Sequence, residues 1–212
     1  MMLYLVRHGR SVANDAGLVT GTTADELDAI GVAQAQRMAA WLSHAGIVAD
    51  RYMTSQWCRA QQTARLLMPA ADWEVDSRLG ETDAGEVADW QLARFLAQCP
   101  DFYADPGNRY PGGESHLALN QRVLGWLDEQ LARPVDALMV VAHSGPISCI
   151  LQHIHGVGME RFPAFLPAHA SLSAIEMVRG DDAWHGRLLA FALGPLENLP
   201  VAIHGARGRA AS

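Results

Sequence analysis

Two short stretches of the chain end in the same way. Leu3-Tyr4-Leu5-Val6-Arg7-His8-Gly9 and Leu138-Met139-Val140-Val141-Ala142-His143-Ser144-Gly145 each run from apolar, β-prone residues into a histidine, with a glycine one or two positions later. Ligands of parallel sheets bind beyond the carboxyl ends of the strands, so two such histidines can face one site. A third stretch, Tyr52-Met53-Thr54-Ser55-Gln56-Trp57-Cys58-Arg59, brings Arg59 into the first turn of a helix that also follows a strand. Arg7, Arg59 and a helix N-terminus together make a strong anion site, and the ligand class implied is a phosphate. A neutral imidazole is a competent nucleophile towards phosphorus, and phosphoryl transfer otherwise needs positioning and charge stabilisation. An alkoxide leaves badly, so a carboxylic acid nearby is useful. Glu81, Asp83 and Glu86 share one loop and compete for that task, while a solvated acidic turn describes two of the three. Taken singly, each histidine or arginine is more often structural than functional. The combination is harder to dismiss.

These residues need elements to carry them. Met2 to Val6 and Ala137 to Ala142 predict buried strands, and Tyr52 to Thr54 and Trp73 to Val75 shorter ones. Val32, Ala35, Ala39 and Leu42 recur at steps of three and four, predicting a helix from Gly31 that ends at Gly46. Ser55 is placed to start a helix carrying Arg59, Ala60, Ala64 and Leu67, which Pro69 stops. Trp90 to Cys99 reads as helical, and Pro100 to Glu114 as a loop or lid. Ser115 is expected to cap a long helix through Leu131 that presents Val123, Leu127 and Leu131 on one face. A further helix is expected from about Pro146 to His155, then two late strands, Ser171 to Val178 and Leu188 to Leu193. Alternating strands and helices imply an α/β fold with a largely parallel sheet. No composition break divides the chain. One domain over 1–204 is expected, with 85–114 as a loop-rich insertion over the active face and 205–212 as a flexible tail.

Composition removes several classes. Among the 212 residues all 16 basic ones are arginine, which excludes Schiff-base lysines, pyridoxal phosphate anchoring and the GK[ST] phosphate loop. The net charge of -7 argues against nucleic acid or an anionic membrane as partner. Cys58, Cys99 and Cys149 form no CxxC pair and read as reduced thiols of a cytoplasmic protein. The apolar start is too short for a signal peptide before Arg7 closes it.

The stretches LVRHGRS, SQWCRAQQTA, RLGETDAGE and VVAHSGPI, in this order, resemble the histidine phosphatase superfamily, also called phosphoglycerate mutase-like. The resemblance implies a three-layer sandwich, a mostly parallel central sheet flanked by helices. It implies that His8 is the nucleophile, that Arg7, Arg59 and His143 bind the transferred phosphoryl group, and that Glu81 donates a proton to the leaving oxygen. It implies no metal and no other cofactor. Asn14 resembles a position that touches phosphate or substrate, a turn-forming asparagine being the plain alternative. Ser144 is placed to bond phosphate or to cap the next helix. Two departures stand out. Arg10 occupies a position where Glu or Gln is commoner and suggests an extra cation at the pocket rim. Gly85-Glu86-Val87 replaces the usual Gly-x-Trp-Glu-Gly, which weakens the assignment of Glu81.

The leading expectation is therefore a phosphatase acting on a small phosphorylated metabolite, with a homodimer left open. A phosphoglycerate mutase is the rival within the family, although this chain is short for the insertion mutases carry. The layout resembles alpha-ribazole phosphatases and broad small-molecule phosphatases. Outside that class stand a silent phosphate-binding regulatory module and a metal site of His143, His153 and His155. The metal site suits helix geometry poorly, because residues two apart face different sides. A serine hydrolase lacks its G-x-S-x-G elbow.

Overall fold

The computed structural model describes residues 1–198, so the tail expected over 205–212 and the boundary at 204 lie outside the described residues. In chain order the elements are β1 (Met2–Arg7), α1 (Val12–Asp15), α2 (Ala29–His44), β2 (Arg51–Thr54), α3 (Cys58–Leu67), β3 (Trp73–Val75), α4 (Leu92–Gln98), α5 (His116–Ala132), β4 (Ala137–Ala142), α6 (Ser144–Ile154), β5 (Leu172–Arg179) and β6 (Trp184–Leu193), with short 3-10 turns between them. The strands form one sheet in the order β3-β2-β4-β1-β5-β6. The pairs β1–β4, β2–β4 and β2–β3 are parallel, and β5 and β6 complete the sheet antiparallel.

Strand alternation assigns each face its own helices. In β1 and β4, Leu3, Leu5, Leu138 and Val140 pack against Leu119, Val123, Trp126 and Leu127 of α5 and Ile147, Ile150 and Leu151 of α6. Val6, Met139 and Val141 point to the other face, against Met38 and Leu42 of α2 and Ala60, Ala64 and Leu67 of α3. Central strands buried on both faces read as continuous apolar runs, which is how β1 and β4 look in the sequence. The result is the three-layer α/β sandwich.

The middle segment is more ordered than a loop. Phe95 of α4, Phe102 and Tyr110 close with Val87 and Ala88 into a small aromatic cluster of their own. Several boundaries differ from expectation for local reasons. Helix α2 begins at Ala29, because the Asp28 side chain accepts the Gly31 N–H and caps it. Helix α3 begins only at Cys58, and Ser55 is no cap for it. Ser115 does cap α5, accepting from the Ala118 N–H. Helix α6 begins at Ser144 rather than near Pro146, which stands in the first turn where proline loses no hydrogen bond. Strand β6 starts at Trp184, four residues before its apolar run, because it is held by pairing with β5.

Candidate active site

Sheet register builds the site. In the β1–β4 pair Arg7 is opposite Ala142, so His8 and His143 leave adjacent strands side by side. The His8 N–H donates to the Ala142 carbonyl at 3.0 Å, and their rings lie 4.8 Å apart, edge to face. On the other side of β4, Thr54 pairs with Val141, which brings Ser55 level with Ala142, one residue before His143. The Ser55 hydroxyl lies 2.7 Å from His143 Nε2 and accepts the Trp57 N–H at 3.2 Å. His143 Nδ1 is buried with no partner among the described residues.

The local network fixes the His8 tautomer. Nδ1 lies 2.6 Å from the Gly9 carbonyl, which can only accept, so Nδ1 carries the proton. Nε2 keeps its lone pair, and Arg59 Nε donates towards it at 3.2 Å. Gly9 is needed for this turn, since a Cβ there would lie 2.5 Å from the Gly31 carbonyl oxygen at the start of α2.

Arg59 is nearly enclosed. Its Nη1 pairs with Asp25 at 2.9 Å, both side chains being under a tenth exposed, and its guanidinium stacks 4.3 Å above the Trp57 ring. Asp25 is itself held by the Ala13 N–H at 2.9 Å. Arg7 donates to the Pro167 carbonyl at 2.7 Å and lies 2.9 Å from His169 Nε2. Burial lowers its pKa to about 10, against the pull of Glu81, and Arg59 lowers it further, so it remains a cation at neutral pH. Burial, then the charges of Arg59, His143, Arg7 and His169, hold His8 well below the ordinary histidine value. Burial and the charges of Arg59, Arg7 and Arg122 do the same to His143. Both rings are therefore neutral at pH 7.

The positive charge of the pocket comes from side chains rather than helix ends. The amides of Cys58 and Arg59 at the start of α3 are occupied by the carbonyls of Thr23 and Asp25. The Gly145 N–H of α6 donates to Glu81 Oε2 at 3.2 Å, as does the Ser144 hydroxyl at 3.3 Å, while Glu81 Oε1 accepts the Thr82 N–H at 2.9 Å. A Cβ at position 145 would lie 2.1 Å from the Glu81 carboxylate, so this glycine makes room for it. Of the three acidic residues of the loop, Glu81 is the one bonded to the first turn of α6, directly after His143. Asp83 is exposed and ties its own turn through the Gly85 N–H at 2.9 Å. Glu86 packs against Gly112.

Other expected residues fall as follows. Asn14 closes a capping box with Ser11 and also lies 3.0 Å from His169 Nε2. Ser144 faces Glu81 and does not cap α6. Arg10 is no free cation at the rim: it pairs with Asp15 at 2.7 Å and Asp28 at 2.5 Å, which balances its charge locally. His153 and His155 stand exposed at the far end of α6, about 15 Å along the helix from His143. Among the described residues no three histidine, cysteine or acidic side chains form a metal-holding group. The thiols of Cys58, Cys99 and Cys149 are unpaired.

Four participants escape the sequence patterns. His169 sits 5.6 Å from the His8 ring, just before β5. Because β5 is antiparallel, its amino end lies where the parallel strands have their carboxyl ends, and the Ala170 N–H bonds the His8 carbonyl at 3.1 Å. Burial and the neighbouring Arg7, Arg59 and Arg10 lower the His169 pKa to about 3. Asp25 and Ser55 orient Arg59 and His143. Arg122 braces the acidic loop by donating to the carbonyls of Arg78 and Glu81 and to both Glu114 oxygens. The one available signal was Arg122 on α5, next to the buried Val123 and three residues from the buried Leu119.

The family model of the histidine phosphatase superfamily (branch 1) matches residues 3–188. The chain is 32% identical over 165 residues to Probable phosphoglycerate mutase GpmB of Proteus mirabilis, covering 74% of this chain and 76% of that one. It is 29% identical over 198 residues to the adenosylcobalamin/alpha-ribazole phosphatase of Salmonella typhimurium, covering 85% and 92%. The solved alpha-ribazole phosphatase of Shigella flexneri superposes with a TM-score of 0.78 at 26% identity, over 93% of this chain and all of that one. No described helix is long and apolar enough to cross a membrane.

Proposed function

The chain belongs to the histidine phosphatase superfamily, and from that premise we propose that it hydrolyses a small-molecule phosphomonoester through a phosphohistidine on His8, with no metal or other cofactor taking part. The observation that carries this reading is the tautomer of His8. With Nδ1–H donated to the Gly9 carbonyl, the lone pair of Nε2 is presented beside the Arg59 guanidinium. In the proposed reaction Arg7, Arg59 and His143 bind the phosphoryl oxygens. His143 can donate there from Nδ1 when Ser55 donates its hydroxyl proton to Nε2. Nε2 of His8 forms the bond to phosphorus as the ester P–O bond breaks, and Glu81 gives its proton to the leaving oxygen. The Glu81 carboxylate then takes a proton from water, whose oxygen attacks phosphorus, and the P–N bond electrons return to Nε2. In this scheme Arg7 donates to His169 Nε2, Asn14 lies beside that nitrogen as a contact to phosphate or substrate, and Ser144 donates to Glu81. A small phosphorylated metabolite is the partner proposed.

The relationship to GpmB keeps mutase-type transfer as a second reading. A phosphoenzyme shared by all substrates tests the proposal and separates the two. Alkyl and aryl phosphates should partition between water and added glycerol in one fixed ratio, in the presence of chelator. Ratios that change with the leaving group would refute the shared intermediate. Conversion of 3-phosphoglycerate to 2-phosphoglycerate without phosphate release would favour the mutase.

A further inference from the structure

Resting on the phosphatase reading, the walls beyond Glu81 say which alcohol the phosphate is attached to. The leaving oxygen must reach Glu81, so the rest of the alcohol occupies the space adjoining that carboxylate. Two cavities share it. The larger, about 460 Å³, is walled by Glu81, Asp83, Glu114 and Arg122 together with Gln56 and Trp57. Arg122 is the one cation among these lining residues, and its donors are committed. Nε and Nη2 hold the two Glu114 oxygens at 3.1 and 2.6 Å, Nη1 the Arg78 carbonyl at 2.6 Å, and Nη2 also the Glu81 carbonyl at 2.9 Å. Asp83 is exposed and has no cation partner among the described residues. Gln56 Oε1 is a buried acceptor with no partner among them.

The smaller cavity, about 170 Å³, lies between Tyr103, Tyr110, His116 and Phe162. The tyrosine hydroxyls bond each other at 3.0 Å, and the His116 ring stacks on Tyr103. Burial raises the pKa of both tyrosines and lowers that of His116, so these groups carry no charge at neutral pH. Arg10, nearer the rim, is neutralised by Asp15 and Asp28.

The positive charge is thus concentrated where the phosphoryl group binds, and the walls of the leaving-group space hold excess negative charge and acceptors. A second anion there would meet Asp83 with no free cation among the lining residues to offset it. We propose that the chamber selects phosphomonoesters whose alcohol carries no second anionic group, being neutral or cationic and able to donate hydrogen bonds, and that Asp83 is a determinant of this selection.

Glycerol 3-phosphate and 3-phosphoglycerate are matched probes, differing by a hydroxymethyl group against a carboxylate. At low salt kcat/KM should favour glycerol 3-phosphate by about tenfold or more, with the gap narrowing as salt rises. Asp83→Asn keeps an oxygen for the Gly85 N–H and should shrink the gap several-fold, and Asp83→Arg should close or invert it. Calorimetry of both esters on His8→Ala reads the same discrimination without turnover. If p-nitrophenyl phosphate is not hydrolysed, the phosphatase reading falls, yet the calorimetric comparison still decides the charge selection. Equal or tighter binding of 3-phosphoglycerate, or a ratio that Asp83→Arg leaves unmoved, would overturn the proposal.

Discussion

The pocket around His8 and the chamber beyond Glu81 sit on either side of one carboxylate but are built by different means. In the pocket, the register of β2, β4, β1 and β5 brings Ser55, His143, His8 and His169 together, and the first three are almost fully enclosed. In the chamber, the walls come from turns after α1, β2 and β3 and from α5, and they include exposed groups such as Asp83. A sheet edge allows little variation in where the next residue points, whereas a turn can change length and composition at small cost. On this proposal the fold positions the chemistry rigidly and leaves the choice of alcohol to its loops.

Removing the proposed nucleophile should give the largest effect on that comparison. His8→Ala is expected to lower kcat by on the order of 10⁴-fold or more, while inorganic phosphate still binds by calorimetry. Turnover near the wild-type rate would remove His8 from the mechanism. Next comes the carboxylate at the junction. Glu81→Gln should cost alkyl phosphates about 10²–10⁴-fold in kcat and p-nitrophenyl phosphate far less, because a good leaving group needs little protonation. If Asp83→Asn showed that leaving-group dependence instead, the acid would belong to the chamber wall.

A smaller change is expected at Arg59, one of the pocket's two cations. Arg59→Met should weaken competitive vanadate inhibition by about 10- to 100-fold, the value of a charge-assisted contact of about 1.5–3 kcal/mol. It also strands the buried Asp25, so Asp25→Asn in the same chain separates lost binding from lost folding. Unchanged inhibition in the double variant would count against Arg59 as a ligand.

The smallest effect is one of pH on stability. His8, His143 and His169 have folded pKa values below the unfolded value of about 6.5, so below that pH the unfolded chain binds more protons. Their contribution is fully present above pH 6.5 and is lost as pH falls towards the folded values, about 3 for His169. Between pH 6.5 and 5 each costs at most about 2 kcal/mol. Urea midpoints should fall over this range and recover part of the loss when phosphate is added, since a bound anion favours the charged rings. A midpoint flat from pH 7.5 to 5 would contradict the neutral-histidine pocket.

The strand-turn-histidine segments were legible because an apolar run ending in a polar residue at a strand's carboxyl end has one geometric meaning in a parallel sheet. His169 was not, since it precedes an antiparallel strand and its sequence, Pro167-Ala168-His169-Ala170, has no such directional mark. Ser55 looked like a helix cap because serine commonly is one. Its hydroxyl is instead drawn to His143 by a strand pairing 88 positions away in the chain. Arg10 looked like a free cation because the distant Asp28, its main partner, is invisible to a local pattern. The order of elements was legible for the same reason as the core, through alternation and period. Helix starts were displaced wherever a capping side chain such as Asp28 overrode the apolar spacing.

The central claim is that His8 Nε2 carries the phosphoryl group. Rapid quench of the enzyme with an excess of 32P-labelled alkyl phosphate should trap acid-labile, base-stable phosphate on one histidine, mapped to His8, forming and decaying fast enough to account for turnover. No label, a label on a serine or carboxylate, or equal labelling of His8→Ala would contradict it.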